Sequence, residues 1–456
     1  MVHSHPSPEG FWFPAHDVDK VGFFKRCEEV RGRIENFKKP LIVNHYDADG
    51  LAAGALVAKA LEIRGMSYDI LTLRKLDFKE KMKNAEEIIF VDFGGVEESL
   101  GDALKGKQVV IIDHHQGVDG KFPQANPHLF GFDGGSELSS SGTAYMVFRN
   151  DELVDLAVVG AVGDMQFPLK SLNRDILREG IGKGIVRCDI DLSIFGRISR
   201  PLVWFLSYCT EPFLPGLTGN EKNCYRFLKE AGIELKQDGM WRKYYELELE
   251  ERVRLVSALA AYLYSKGVGN ASRELVGEVY MLAKQKEGSE LSDAKEYSTL
   301  LNACGRHNKP EVGIRVCLGR EGALEEARAM LNEHRKQLRE GIVHAISDYE
   351  DFGKFYFLDG RKHIEDGVIG VIVGMLYGGT LAGDKPIVGI ALDEEGKIKI
   401  SARATKELVE HGVNLGEALG KACRGIGVGG GHNIAAGATI GGNKLNEFLL
   451  NFANAL

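Results

Sequence analysis

The sequence predicts an α/β protein with an N-terminal parallel sheet, a helical middle region, a smaller C-terminal α/β lobe and a cleft between the lobes. Three observations carry this. Short apolar runs alternate with Ala- and Leu-rich stretches over residues 21–200, the pattern of parallel strands joined by crossover helices. Residues 201–352 hold long patterns rich in Glu, Arg, Leu and Ala, which read as helices. From Gly353 the alternation returns. The expected divisions are a tail at 1–20, a first domain at 21–200, a connecting region at 201–352 and a last domain at 353–456.

Taken in order, Val21–Phe37 reads as a helix. Pro40–Val43 is a short apolar run ending in His-Tyr-Asp-Ala-Asp-Gly, and Gly50–Arg64 is a helix. Glu87–Val91 and Gln108–Ile112 are β-rich runs ending at Asp92 and Asp113. Asp155–Val162 is read as a fourth strand, ending in Gly163-Asp164. In the middle region, Trp241–Ser265 and Leu324–Tyr349 read as long helices, and Ser292 as the cap of another. Phe355–Leu358, Ile387–Leu392 and Lys397–Ser401 are strands, with a turn at Asp393–Gly396. Asn414–Arg424 and Lys444–Leu456 are helices.

Composition narrows the function classes. With 456 residues, 44% of them hydrophobic and 27% charged, the chain can bury a sizeable core. No apolar run reaches the ~18 residues of a membrane span, and the first residues lack the basic-then-apolar pattern of a signal peptide. The expectation is a cytoplasmic protein with no membrane partner. Seven cysteines, none in C-x-x-C spacing, exclude a disulfide framework and a zinc ribbon, and read as reduced thiols. A net charge of −8 excludes a general basic coat for nucleic acid.

Where the acids fall is more informative. Four apolar segments end in His45-x-Asp47-x-Asp49-Gly50, Asp92, Asp113-His114-His115 and Asp164. The carboxyl ends of parallel strands share one edge, so these groups converge on a crevice there. Alternation along an extended His45-x-Asp47-x-Asp49 puts three side chains on one side, and Gly50 frees the backbone to turn. Asp and His without Cys select Mn²⁺ or Mg²⁺ over structural Zn²⁺. Carboxylates gathered this densely need cations to compensate them. Two such ions suit hydrolysis of a phosphoester.

HYDADG, VDFGG, IDHH and GAVGD, in that order, resemble the four motifs of the DHH phosphoesterase superfamily, and the whole chain resembles its archaeal RecJ-like single-strand-specific exonucleases. The resemblance implies two divalent ions, Mn²⁺ favoured with Mg²⁺ as the alternative. His45 and Asp47 would hold one ion. Asp49, His114 and Asp164 would hold the other, and Asp92 would bridge both. Asp113 would orient a histidine, and His115 would face the scissile phosphate. Bacterial RecJ commonly has Asp where this chain has His45.

Gly429-Gly430-Gly431-His432 is weak evidence by itself. Consecutive glycines with a following helix can cradle an anion, but a glycine turn is the more frequent origin of such a run. Residues 353–456 resemble the DHH-associated domain of the same superfamily, with Gly429–His432 matching its GGGH motif and Ser401-Ala402-Arg403 its Ser-x-Arg. The similarity implies that Ser401, Arg403, Gly430, Gly431 and His432 grip a phosphate. LSDAKEYSTLLNACGR resembles a segment of the archaeal RecJ-like proteins, and it adds Asn302 and Arg306 near the substrate.

Other features carry two readings. Arg328, Arg335 and Arg339 share a helix face as a phosphate track or, with glutamates interleaved, as a solvated face; the solvated face is favoured. Tyr244 and Tyr245 either stack bases or pack within a helix, and packing is favoured. Ser139–Thr143 either contacts phosphate or caps a helix.

The resulting expectation is a single-stranded DNA or RNA exonuclease, with a helicase or replisome protein as partner. Its rivals are a hydrolase of short oligonucleotides, phosphoadenosine-phosphate or cyclic dinucleotides, and a non-catalytic replisome scaffold. The charge fits the metal reading. Residues 1–200 have 25 basic and 30 acidic groups, an excess of five that equals the motif aspartates 47, 49, 92, 113 and 164.

Overall fold

The structure is a computed structural model describing residues 18–456 except 210, 211, 213, 267–271, 380, 382 and 394. The expected tail therefore lies outside the described residues up to position 17, as does Glu394 of the expected turn. Two compact units are present, one ending at Gly182 and the other spanning Lys183–Leu456.

The first unit runs α1 (Lys20–Ile34), β1 (Leu41–His45), α2 (Ala48–Ile63), β2 (Asp69–Leu73), α3 (Glu80–Asn84), β3 (Glu87–Val91), α4 (Val96–Leu100), β4 (Gln108–Ile112), β5 (Gln124–Ala125), α5 (Ser140–Phe148), α6 (Val154–Gly163) and α7 (Ser171–Gly182). Its strands form one sheet in the order β2-β1-β3-β4-β5, parallel throughout, as the sequence predicts. Leu41–Asn44, all of β3 and Val109–Ile112 are buried, because helices cover both faces of a parallel sheet. Chain order reverses between β1 and β3. This reversal opens a crevice at the carboxyl edge, the usual ligand position in open α/β sheets.

Two expectations about this crevice need correction. The run 154–163 is the helix α6, not a strand, so Asp164 stands at a helix carboxyl end. Val154 and Leu156–Val162 are buried, and an element buried all round shows no amphipathic period to separate helix from strand. Nor is His45-x-Asp47-x-Asp49 extended. β1 stops at His45, Asp47 caps α2 by accepting from Gly50 N at 2.9 Å, and Asp49 lies in the first turn. Gly50 is therefore helical, and its role is close approach: a Cβ there would sit 2.6 Å from His45 Cβ.

Asn44 pins this corner from inside β1. It is fully buried. Its Nδ2 donates to His45 O at 2.9 Å and Gly50 O at 3.1 Å, and its Oδ1 accepts from Thr72 Oγ1 at 3.0 Å. One side chain thus joins β1, the start of α2 and β2.

The second unit begins with an antiparallel ribbon, Val186–Leu192 with Val276–Leu282. Beside it, Phe205, Leu228, Leu255, Leu259 and Leu263 share a core. The long helix expected at 241–265 starts only at Leu249; a strand at Met240–Trp241 and a 3₁₀ turn at Tyr244–Glu246 precede it. Gly239 (φ 78°) turns the chain there, and Arg242 is held by Glu251 at 2.6 Å. The helix Ala294–Arg306 is capped by Asp293, not Ser292, through Lys295 N and Glu296 N.

The unit ends in a six-stranded sheet ordered Glu350–Asp351, Tyr356–Asp359, Ile387–Leu392, Ile398–Arg403, Ala435–Ile440, Gly427–Gly431. The second and third strands pair in parallel and the others antiparallel. Gly427–Gly431 is thus a strand of a hairpin, neither a loop nor the lead-in to a helix. Glycines on both partners let the helix Leu415–Ala422 approach: a Cβ on Gly429 of the strand would lie 2.8 Å from Cys423 Sγ, and one on Gly416 of the helix would lie 2.1 Å from Gly431 O.

Replacing Asn44 by Leu deletes three hydrogen bonds, buried or part-buried, at the crevice. We expect a loss of about 2 kcal/mol in urea unfolding, with an unchanged denaturant slope.

Candidate metal centre

The crevice between β1 and β3 gathers the predicted donors. Asp92 follows β3 in a left-handed conformation (φ 64°), a region Asp tolerates better than most residues. Its backbone N–H donates to Ile112 O at 3.0 Å. Its Oδ2 lies 3.5 Å from His45 Nδ1 and its Oδ1 3.4 Å from His114 Nε2. Three groups of donors lie within 4.8 Å of one another: His45, Asp47 and Asp92; Asp49, His114 and Asp164; and Asp92, His114 and His115.

The surroundings fix these donors. Asp49 is buried, and both its oxygens accept backbone N–H groups at the start of α5, Ser140 at 2.7 Å and Ser141 at 3.0 Å. Ser140 Oγ donates to Asp92 Oδ1 at 2.8 Å. His114 Nδ1 lies 2.8 Å from Gly134 O. With that nitrogen donating, Nε2 presents its lone pair toward Asp92. A side chain at 134 is barred, since its Cβ would fall 1.8 Å from His114 O. Gln166 Nε2 donates to Asp164 Oδ2 at 2.8 Å and to Gly134 O at 2.6 Å, while its Oε1 accepts from Asn173 at 2.6 Å.

His115 differs from His114. Its Nδ1 pairs with buried Asp113 at 2.8 Å, and its side chain is 49% exposed. The ring is oriented from behind and open to a ligand in front.

Charge here is unbalanced without cations. Burial, then Asp92 and Asp164, push the Asp49 carboxyl up to about 7. Burial and His114 act oppositely on Asp164, which is raised. Burial opposes the charge on Asp92, but His114 and His45 hold it well below the usual carboxylate range. Burial likewise opposes protonation of His45 and His114; Asp47 and Asp92 lift His45 to about 10, and Asp92 chiefly lifts His114 to about 11.

His45 Nδ1 lies 3.0 Å from Asp47 Oδ2 and yet is a buried atom without a hydrogen-bond partner. The contact is close but not aligned as a hydrogen bond. Nitrogen and oxygen donors converging without an aligned hydrogen bond fit a divalent cation that would replace the proton, and an N/O donor set without sulfur fits a hard or borderline one.

The second unit holds the other predicted residues. Ser401, Arg403, Gly431 and Arg306 line one concavity of about 430 Å³ with Lys399 and Gly370. Arg403 Nη1 donates to Ala402 O at 2.9 Å and Ser401 Oγ at 3.3 Å. Asn302 sits one turn before Arg306 on the same helix. His432 is exposed beyond the end of the glycine strand and, like Gly430, is not among the lining residues.

The weaker features other than Arg335 resolve toward ion pairing, solvent or packing. Arg328 is held by Glu290 at 2.8 and 2.9 Å, and Arg339 is exposed. Tyr244 is buried against Asp191, while Tyr245 is half-buried. Ser139 caps α5, but Ser140 and Ser141 hold metal-site carboxylates, a role the sequence reading missed. Gln166, Asn173 and Gly134 were also missed. Gln166 stands two residues after Asp164, and that proximity was its one signal.

Models for the DHH family N-terminal domain, the DHH-CID domain and the DHHA1 domain match residues 39–161, 194–276 and 325–456. Uncharacterized protein MJ0831 of Methanocaldococcus jannaschii is 30% identical over 428 residues, covering 90% of this chain and 91% of that protein. The chain belongs to the DHH superfamily.

Its fold agrees with exonuclease RecJ bound to manganese (TM-score 0.58, 17% identity, 95% of this chain and 94% of that one). It also agrees with RecJ from Thermus thermophilus in complex with Mn²⁺ (0.57, 17%, 97% of this chain). The chain spans about half of that RecJ, 55% of its length. CDC45 from Entamoeba histolytica shares the fold at 0.65, with 12% identity and 95% of this chain and 98% of that one covered. No helix among the described residues is long and apolar enough to cross a membrane.

Metal binding here must displace protons from His45 and His114, so apparent Mn²⁺ affinity should rise with pH through neutrality. Titration calorimetry in buffers of different ionisation enthalpy should detect release of about one proton or more per ion. Pure heat of coordination, with no buffer dependence, would contradict this.

Proposed function

We propose that this chain is a metal-dependent exonuclease hydrolysing phosphodiester bonds of single-stranded DNA or RNA. The observation carrying the proposal is a pair of donor groups in one crevice, His45, Asp47 and Asp92 beside Asp49, His114 and Asp164, linked by the contact of buried Asp92 with His114 at 3.4 Å. His45, Asp47 and Asp92 would hold one divalent ion, and Asp49, Asp92, His114 and Asp164 a second, Mn²⁺ favoured. Bound together, such ions supply Lewis-acid charge on a phosphoryl oxygen and a water acidic enough to attack at neutral pH.

The protein's own groups do the remaining work. His115, oriented by Asp113, presents Nε2 to the scissile phosphate, where it donates a hydrogen bond or a proton as charge builds. Asp113 keeps the proton on Nδ1 in place and so fixes which nitrogen faces the substrate. Arg403, Arg306 and Ser401 supply donors for a phosphate group. Guanidinium forks suit that task through paired N–H donors. His432, Gly430 and Asn302 remain candidates for the same grip.

A substrate held by metals and a few arginines does not need a basic surface, which reconciles a net charge of −8 with nucleic acid. A purely scaffolding role, as for a replisome component, gives no reason to keep six metal donors and an oriented histidine together. A helicase or replisome partner remains compatible with the enzyme reading.

The test is a time course on single-stranded DNA and RNA labelled at either end, in Mn²⁺, with dinucleotides alongside. Progressive shortening from one end is expected, abolished by Asp113→Ala plus Asp164→Ala. Cleavage of dinucleotides alone would replace the nuclease by a short-oligonucleotide hydrolase. Undiminished cleavage by the double variant would refute the site.

A further inference from the structure

The second unit contains a buried arginine, Arg200, and a half-buried one, Arg335, neither in an ion pair among the described residues. Arg200 is 9% exposed. Its Nε has no hydrogen-bond partner, and Nη1 reaches Tyr208 O only at 3.4 Å. Arg335, from the helix Ala323–Asp348, also has an unpartnered Nε. It donates to Ser199 Oγ at 3.2 Å and to Asn332 Oδ1 at 3.5 Å. Both guanidiniums approach one ring, Phe195, at 4.4 and 5.9 Å from its centroid. Arg200 also lies 5.4 Å from the ring of Tyr208.

Three other arginines of this unit have carboxylates. Arg197 pairs with Asp191 and Asp293, Arg242 with Glu251, and Arg328 with Glu290. Glu296 is the acid acting on both Arg200 and Arg335. Its oxygens are occupied by the backbone N–H groups of Ile198 and Ser199 at 2.7 and 3.2 Å. Burial, then Asp293, push Glu296 up to about 7, so near neutrality it is only partly charged. Glu290, the other acid acting on Arg335, is engaged by Arg328. Burial and next Arg335 push Arg200 down to about 9, and burial lowers Arg335 too.

A buried cation without a counter-charge is costly unless something supplies one. Two forks with free donors beside half-buried aromatic rings match a phosphate with an adjacent base. Guanidinium donors fit phosphate oxygens, and every base has a face to stack. We propose that Arg200 and Arg335 form a second anion site, filled by a phosphodiester group of a single strand whose neighbouring base stacks on Phe195 or Tyr208. The anion site stands on these contacts alone; naming the strand as occupant rests on the nuclease reading.

The experiment uses the whole chain in EDTA, where no cleavage competes, and a fluorescein-labelled oligothymidylate of roughly 20 nucleotides. Anisotropy titrations from about 50 to 200 mM salt give affinity and its salt slope. Arg335→Gln should weaken binding about tenfold and reduce the slope by about one. Its Tm should match or exceed that of the wild type, because a partly desolvated cation without an ion-pair partner has been removed. Unchanged affinity and slope would overturn the site. So would a clear fall in Tm, which marks Arg335 as a structural cation. If inorganic phosphate raises the wild-type Tm but not that of the variant, while oligonucleotide binding is unaltered, the nucleic-acid occupant is overturned. If Arg335-dependent binding survives but end-labelled cleavage fails, the nuclease reading alone falls. Cleavage without Arg335-dependent binding sinks this site alone.

Discussion

The constraint on which the first unit depends is the burial of Asp49 and Asp92 beside the partly exposed carboxylates of Asp47 and Asp164 in one crevice. Like charges so close, and two of them out of water, are tolerable only with fixed donors behind them and cations between them. The fold supplies the donors. The strand order places β1 and β3 side by side at the reversal point, and the two amides opening α5 take both oxygens of Asp49. Backbone N–H donors cost no side-chain entropy and add the positive end of a helix. The cations are left to divalent ions or, without them, to protons on His45 and His114.

Close packing of backbone makes this geometry available. α2 and α6 are rich in Ala and Gly, α5 opens on small residues, and all three are buried almost throughout. Their small residues let one helix end meet another across the crevice. At Gly160 a Cβ would lie 2.1 Å from Ser141 Oγ and 2.4 Å from Asp49 Oδ1, so the glycine makes room for a metal-site carboxylate. Gly134 does the same for His114. The glycines of the second unit serve helix-on-strand packing at Gly416 and Gly429, which explains a motif that looks like a phosphate loop yet folds as a strand.

How far the sequence could be read follows from what it encodes locally. β3 and β4 were legible to the residue, because a run such as Ile88-Ile89-Phe90-Val91 followed by Asp has few other structures. The donors were legible because each follows an apolar segment. α6 was not, since a helix buried on every side shows no period. The supports were least legible: Ser140, Gln166, Asn173 and Gly134 act through contacts distant in sequence or through a missing side chain. The two arginines 135 positions apart, Arg200 and Arg335, meet only through the tertiary fold around Phe195.

Asp92 carries the account, because it belongs to one donor group and touches His114 of the other. The direct measurement is Mn²⁺ titration followed by electron paramagnetic resonance on the wild type and on Asp92→Ala. The wild type should bind two ions per chain, with the broadened signal of a close, magnetically coupled pair. The variant should lose the coupling and bind at least one ion about ten- to a hundredfold more weakly. Two uncoupled ions in the wild type, or a coupled pair that persists without Asp92, would contradict the shared-carboxylate centre.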